Sequence, residues 1–165
     1  MQIGIIGSNE SQCSKELYEF AYALGVYLGQ KEFTVINGGM QGTMEAVSKG
    51  VKSVKDTKCK VVGILPFEDG QKANKYLDIT IPTGIGFARN SVLVLSSNVL
   101  IALGGGAGTL NEISYAWQFG KKVFCYTGAE GWSKKLANQN LDNRKENLLI
   151  GFNSLDELCK LLFDD

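Results

Sequence analysis

The chain has no histidine. That one absence removes the Ser-His-Asp and Cys-His nucleophile systems, the histidine zinc sites and histidine haem ligation. Any chemistry must come from carboxylates, Arg, Lys, Tyr, Ser, Thr or a bound group. Net charge is also missing, because 17 basic residues balance 17 acidic ones. A nucleic acid or an anionic membrane recruited by bulk charge is therefore not expected as a partner. No apolar run reaches the length of a membrane span. The start, Met1-Gln2-Ile3-Gly4, has neither a basic segment nor a small-residue cleavage site, so a signal peptide is not expected and the cytoplasm is the expected location. Cys13, Cys59, Cys125 and Cys159 form no Cys-x-x-Cys pair, and each falls in a segment that reads as helix or strand. They read as reduced, buried thiols, with no metal expected. The chain also lacks Gly-x-x-x-x-Gly-Lys-Ser/Thr, which excludes an ATPase of that type. It has no Gly-x-Gly-x-x-Gly after its first strand and no acid at the end of the second, which disfavours an NAD dehydrogenase.

Glycine, by contrast, is plentiful, at 20 of 165 residues. The stretch Gly104 to Glu112, Gly-Gly-Gly-Ala-Gly-Thr-Leu-Asn-Glu, follows the apolar run Val99–Leu103 and precedes the helix-like Ile113–Trp117. Strand, glycine turn and helix together make an anion site: glycines let the backbone approach a ligand, and the first amides of the helix point at it. Thr109 and Glu112 also spell a capping box, Thr-x-x-Glu, which would be purely structural. The same spelling at Ser154 and Glu157 carries no glycines and reads as a cap alone. A second junction of this kind joins the strand Phe33–Asn37 through Gly38, Gly39 and Gly42 to a helix from Thr43 with Met44, Val47, Val51 and Val54 at helical spacing. Two such junctions are far less expected by accident than one.

In chain order, 2–7 reads as a strand ending at Gly7, with Ser8 either a ligand contact or the N-cap of the next helix. Residues 12–30 read as a helix. Lys60–Leu65 is a third strand, 67–77 a polar loop or short helix, and Asp78–Pro82 an edge strand, since its proline would disturb a central one. Gly84–Ser97 reads as a helix whose first turn holds Arg89 and Asn90, with Arg89 either a ligand counter-charge or a solvated helix charge. Val99–Leu103, Lys122–Tyr126 and Asn147–Phe152 complete the strands, 109–119 and 154–163 the helices, and 127–146 reads as polar and irregular. Alternating strands and helices give an α/β fold, a doubly wound parallel sheet with helices on both faces, over residues 1–165 as one domain. In such sheets ligands bind at the carboxyl ends of the strands, where both glycine junctions would lie.

With the two junctions and Arg89-Asn90 in place, the sequence resembles the Rossmann-like superfamily once labelled "lysine decarboxylase". That group includes the Lonely Guy phosphoribohydrolases and the molybdenum-cofactor carrier proteins. Gly104 to Glu112 matches its Pro-Gly-Gly-x-Gly-Thr-x-x-Glu motif except at the first position, and Gly38, Gly39, Gly42 and Met44 match its Gly-Gly…Gly-x-Met element. The hydrolases carry Arg-Lys where this chain has Arg89-Asn90 and proline where it has Gly104. The run Thr83 to Asn90, then Val94 to Ser97, looks more like the carrier branch. The resemblance implies a small phosphorylated ligand, a nucleoside monophosphate or the molybdenum cofactor, with no other cofactor required. It also implies a homo-oligomer, dimer or tetramer, for which the helix around Trp117 and Phe119 is the candidate contact. Nothing supports decarboxylation of lysine. The candidate ligand residues are Gly7, Ser8, Gly38, Gly39, Gly42, Arg89, Asn90, Gly105, Gly106, Gly108 and Thr109. Two functions follow: a binding protein, favoured because Asn90 and Gly104 depart from the hydrolase pattern, or a hydrolase releasing base and ribose 5-phosphate, with Arg89 and Glu112 as its catalytic pair. A helix N-terminus and a neighbouring arginine would both lower the pKa of Glu112.

Overall fold

The first strand shows why the sheet must be parallel and covered. Ile3 and Ile5 point to one face and Ile6 to the other, and all three are buried. A strand apolar on both faces belongs inside a sheet with helices above and below it. In the computed structural model, which describes residues 1–163, β1 (Gln2–Gly7) takes that central place. It is followed by α1 (Lys15–Gly29), β2 (Thr34–Asn37), α2 (Thr43–Ser53), β3 (Lys60–Leu65) and β4 (Ile79–Pro82). Then come α3 (Arg89–Leu95), β5 (Val99–Leu103), α4 (Ala107–Gln118), β6 (Val123–Tyr126), α5 (Trp132–Leu136), β7 (Leu149–Phe152) and α6 (Leu155–Phe163). All neighbours pair in parallel, in the order β4-β3-β2-β1-β5-β6-β7. The chain runs outward from β1 to β4, then crosses back to place β5 on the other side of β1. That reversal is the topological switch, and it sets the ends of β1 and β5 side by side.

Two cores flank the sheet. On one face Leu17, Ala21, Leu24 and Leu28 of α1 and Ala46, Val47 and Val51 of α2 cover Ile3, Ile5, Val35 and Ile101. On the other, Leu93 and Val94 of α3 and Ile113, Ala116 and Trp117 of α4 cover Ile6, Ile36, Ile64 and Leu100. Pro82 closes the edge strand β4, where a missing backbone donor costs least.

Several local expectations are corrected. The first helix starts at Lys15, not near residue 12, because Ser14 caps it by accepting from the Leu17 amide at 3.2 Å. Cys13 therefore precedes the helix, and Ser8 is not its cap. α4 starts at Ala107 with Gly106 as N-cap, so Thr109 lies inside the first turn and the Thr109–Glu112 capping box does not form. Ser154 does cap α6, accepting from the Glu157 amide, while Glu157 reaches back to the amide of Asn153. The stretch 127–146 contains a helix, α5, that no sequence periodicity announced. Trp117 is a core residue whose Nε1 donates to Asp142, so it supplies no surface for oligomer contact.

Candidate functional site

Three strands end at the switch, and their loops are tied together by one residue, Ser8. The Ser8 amide donates to the carbonyl of Leu103, at the end of β5. The Ser8 carbonyl accepts both the amide and the hydroxyl of Thr43, at the start of α2. The Ser8 hydroxyl oxygen accepts from the amide of Gly105 at 2.9 Å. Gly104 and Gly105 both adopt left-handed φ, +65° and +93°, which is why this turn needs glycine. Ser133 of α5 completes the clamp: its hydroxyl accepts from the Gly104 amide and donates to the Tyr126 carbonyl. After β2, the Asn37 carboxamide accepts from the Gly39 amide and donates to Ser48, fixing the second glycine loop.

On this frame sits a cavity of about 290 Å³ between the ends of β1, β2 and β5. The first helical bond of α4 runs from Leu110 to Gly106, so the amides of Ala107, Gly108 and Thr109 precede the ladder, and all three residues line the cavity. Opposite them Arg89 is only 5% exposed. Its Nη1 donates to Glu112 Oε1 at 3.1 Å and to Asn90 Oδ1 at 2.8 Å. Asn90 in turn donates to Asn111. The Arg89 Nε is buried and has no hydrogen-bond partner among the described residues. Nη2 lies against Gly38, where a Cβ would come within 2.5 Å of it. Residue 38 is thus glycine so that the guanidinium can approach the chain closely. The Nε–Nη2 edge is the fork that takes two oxygens of a phosphate or carboxylate side by side. The rest of the wall is apolar, with Ile5, Ile6, Met40, Met44 and Phe87, plus the amides of Asn9 and Gln12.

Burial decides the electrostatics. Glu112 is 6% exposed, and loss of water raises its pKa to about 7, against the opposing pull of Arg89. The sequence expectation of a lowered value is overturned, because α4 begins at Ala107 and the carboxyl is held inward under the arginine rather than on the helix end. Burial also lowers the pKa of Arg89, with Glu112 working against it.

A model of the SLOG cluster4 family matches residues 1–158. The chain belongs to the SLOG cluster4 family. An uncharacterised protein of Archaeoglobus fulgidus is 46% identical over 123 residues, 74% of this chain and 78% of that one. The solved structure of TM1055 superposes with a TM-score of 0.89 at 31% identity, over 99% of both chains. The molybdenum cofactor binding protein of the phototrophic bacterium Rippkaea orientalis gives 0.85 at 31% identity, over 99% of this chain and 95% of that one. The superfamily and the carrier branch that the motifs resemble are those of these relatives.

Within this SLOG chain the predicted residues divide in two. Gly7, Gly38, Arg89, Asn90, Gly106, Gly108, Thr109 and Glu112 line the cavity. Ser8, Gly39, Gly42 and Gly105 stand behind it. The amides of Gly39 and Gly105 and the oxygens of Ser8 are occupied within the protein, and Gly42 is glycine because a Cβ would strike the backbone of Ser8 and Asn9. Sequence reading missed Asn9, Gln12, Met40 and Phe87 as wall residues. Asn9 stands next to Gly7-Ser8, Met40 inside the Gly38–Gly42 loop and Phe87 just before Arg89-Asn90, whereas Gln12 had no signal beside it. Among the described residues no group of three or more His, Cys, Asp or Glu is placed to hold a metal ion, and no helix is long and apolar enough to cross a membrane.

Proposed function

We propose that the protein is a cytoplasmic binding protein for a phosphorylated heterocycle, a nucleotide or the molybdenum cofactor, with no further cofactor needed. One observation carries this reading: the Arg89 guanidinium is buried with its Nε unpartnered, at the wall of a cavity that the α4 N-terminus also lines. Leaving a buried donor unpaired costs about 1–3 kcal/mol, a cost that a ligand oxyanion would remove. The oxyanion would lie between the Nε–Nη2 edge and the amides of Ala107, Gly108 and Thr109. The ring would rest against Met40, Met44 and Phe87. The Rippkaea relative is a molybdenum cofactor binding protein, which keeps that cofactor beside the nucleotides as a candidate ligand.

The test is calorimetry with AMP and with inorganic phosphate on the parent, Arg89→Ala and Gly108→Val. Gly108 lines the cavity and has open space where a Cβ would go, so valine there meets no protein atom. A lost charged hydrogen bond is worth about 1.5–3 kcal/mol. Affinity should fall roughly tenfold to more than a hundredfold in Arg89→Ala. Unchanged affinity in both folded variants would end the reading.

A second reading, cleavage of nucleoside monophosphates to base and ribose 5-phosphate, has one observation in its favour. A carboxyl titrating at about 7 on the cavity wall suits proton transfer at neutral pH. Glu112 would take the proton of a water attacking the anomeric carbon as the glycosidic bond breaks. Chromatography after incubation with AMP decides between the two. Free adenine, absent with Glu112→Gln, supports hydrolysis; no release from any of the common monophosphates leaves binding alone.

A further inference from the structure

The binding reading leaves one buried carboxyl without a task. Arg89 already has a full counter-charge in Glu112, 3.1 Å from its Nη1. Its Nε nevertheless has no partner among the described residues, which leaves the Nε–Nη2 edge for a ligand oxyanion. An oxyanion held there would put two anions on one guanidinium, all three out of water. A buried charge beyond its partner is costly, so the ion count has to change when the ligand enters. Arg89 cannot change it, because an arginine holds its proton throughout the working range. Glu112 can.

No other charge is placed to share the load. Among the residues that line the cavity, Arg89 and Glu112 alone are ionisable; β1, the loops that follow β1 and β2, and α2 present only neutral groups there. Glu10 and Glu45 adjoin wall residues in sequence, but Glu10 is exposed outside the lining and Glu45 acts on Tyr18 of α1. Tyr115, one turn beyond Glu112 on α4, borders the neighbouring groove and not the cavity. Glu112 Oε1 is taken by Arg89, whereas Oε2 has no hydrogen-bond partner among the described residues. Arg89 Nε is the one wholly buried polar side-chain atom among them without a partner, so Oε2 keeps contact with the cavity. A carboxyl of this kind, buried by apolar walls with one oxygen open to the ligand, can act as a neutral acid that donates a hydrogen bond.

We propose that ligand binding here is coupled to proton uptake: Glu112 enters the complex as the neutral acid and donates from Oε2 to the ligand, beside the Arg89 fork. This rests on the phosphorylated-ligand reading of the same cavity and gives Glu112 its part in it. The proton comes from solvent, one for each ligand that meets an ionised Glu112, and returns to solvent on release. An anion about 5 Å away, at an effective dielectric of about 20, moves a carboxyl upward by roughly two pH units. Glu112 would then titrate at about 7 in the free protein and near 9 in the complex. Affinity for an anion of fixed charge is full below about pH 7 and falls as pH rises from about 7 to 9. A glutamine would offer Arg89 the same acceptor without this response, so the linkage is what calls for an acid. The hydrolytic reading needs the opposite, an ionised Glu112 beside bound ligand, so the two exclude each other at a given pH.

Calorimetric titration of the full chain with AMP, in buffers of different ionisation enthalpy, tests this. The second pKa of a phosphate monoester is about 6, so at pH 8 the probe is already ionised and any proton taken up goes to the protein. The binding enthalpy should vary with that of the buffer, with a slope of about 0.8 proton taken up per ligand at pH 8. Affinity should fall roughly twentyfold from pH 7 to pH 9. Glu112→Gln should show neither effect and should bind AMP more tightly than the parent at pH 9. AMP binding whose enthalpy is indifferent to buffer and whose affinity is flat with pH overturns the proposal and leaves the binding reading standing. A glutamine variant that keeps the parent's pH profile also overturns it, since the proton then sits elsewhere. Failure of both AMP and inorganic phosphate to bind at any pH from 6 to 9 overturns the proposal and the binding reading together.

Discussion

Replacing Glu112 with glutamine should stabilise the protein above neutral pH, and the reason lies in the burial of the pair. The Glu112 carboxyl ionises at about 7 in the fold against 4.5 ordinarily. Between those values the folded chain holds a proton that the unfolded chain has released. Stability from this group is complete below about pH 4.5, falls as pH rises, and is lost above about 7. At ~1.4 kcal/mol per pH unit the loss is about 3 kcal/mol. Arg89 reduces the cost of the buried carboxylate but does not cancel it. Glutamine keeps the shape and the acceptor that Arg89 Nη1 uses at 3.1 Å, but it cannot ionise. The variant should therefore match the parent near pH 5 and exceed it by about 3 kcal/mol at pH 8. For a chain of this size that is a rise of roughly 6–12 °C in Tm. Denaturant melts of both proteins from pH 5 to pH 9 measure it. Parallel profiles, or a glutamine variant weaker than the parent at pH 8, would refute the reasoning and place Glu112 as an ordinary ion-pair partner. The expected outcome is also the mark of a site where stability is given up for function.

Two further substitutions separate the frame from the ligand wall. Gly38→Ala adds a Cβ 2.5 Å from Arg89 Nη2 and 2.8 Å from Met44 Sδ, with no left-handed backbone angle to offend. It should displace the guanidinium and cut phosphate affinity at least tenfold while the fold survives, as calorimetry and thermal melting would show; intact affinity would mean that the arginine's position is immaterial. Ser8→Ala strands the buried Gly105 amide and should cost about 1–3 kcal/mol of stability in a denaturant melt. A Tm equal to the parent's would show that the Ser8 hydroxyl bond to the Gly105 amide contributes nothing to the tie.

Sequence alone determined the sheet and its edge. Apolar strands separated by helical periods leave few alternatives to a covered parallel sheet, and β3 was readable to the residue because Pro66 stops it. The glycine runs marked the two loops at the switch, since left-handed angles such as those at Gly39, Gly42, Gly104 and Gly105 admit little else. Tertiary structure decided what each polar residue does there. Ser8 and Thr109 carried local signals that fit a cap or a ligand contact equally, and the choice fell to neighbours such as Gly105, 97 residues from Ser8. The helix at Trp132–Leu136 has no periodicity of its own; the bonds of Trp132 and Ser133 to the carbonyls of Gly105 and Gly104 hold its first turn in place. The ionisation of Glu112 was beyond sequence altogether, even to its direction. Helix position and the charge of Arg89 argue for a lowered pKa, but burial between α3, α4 and the end of the sheet removes the water that would keep the carboxylate charged, and that loss is the larger effect.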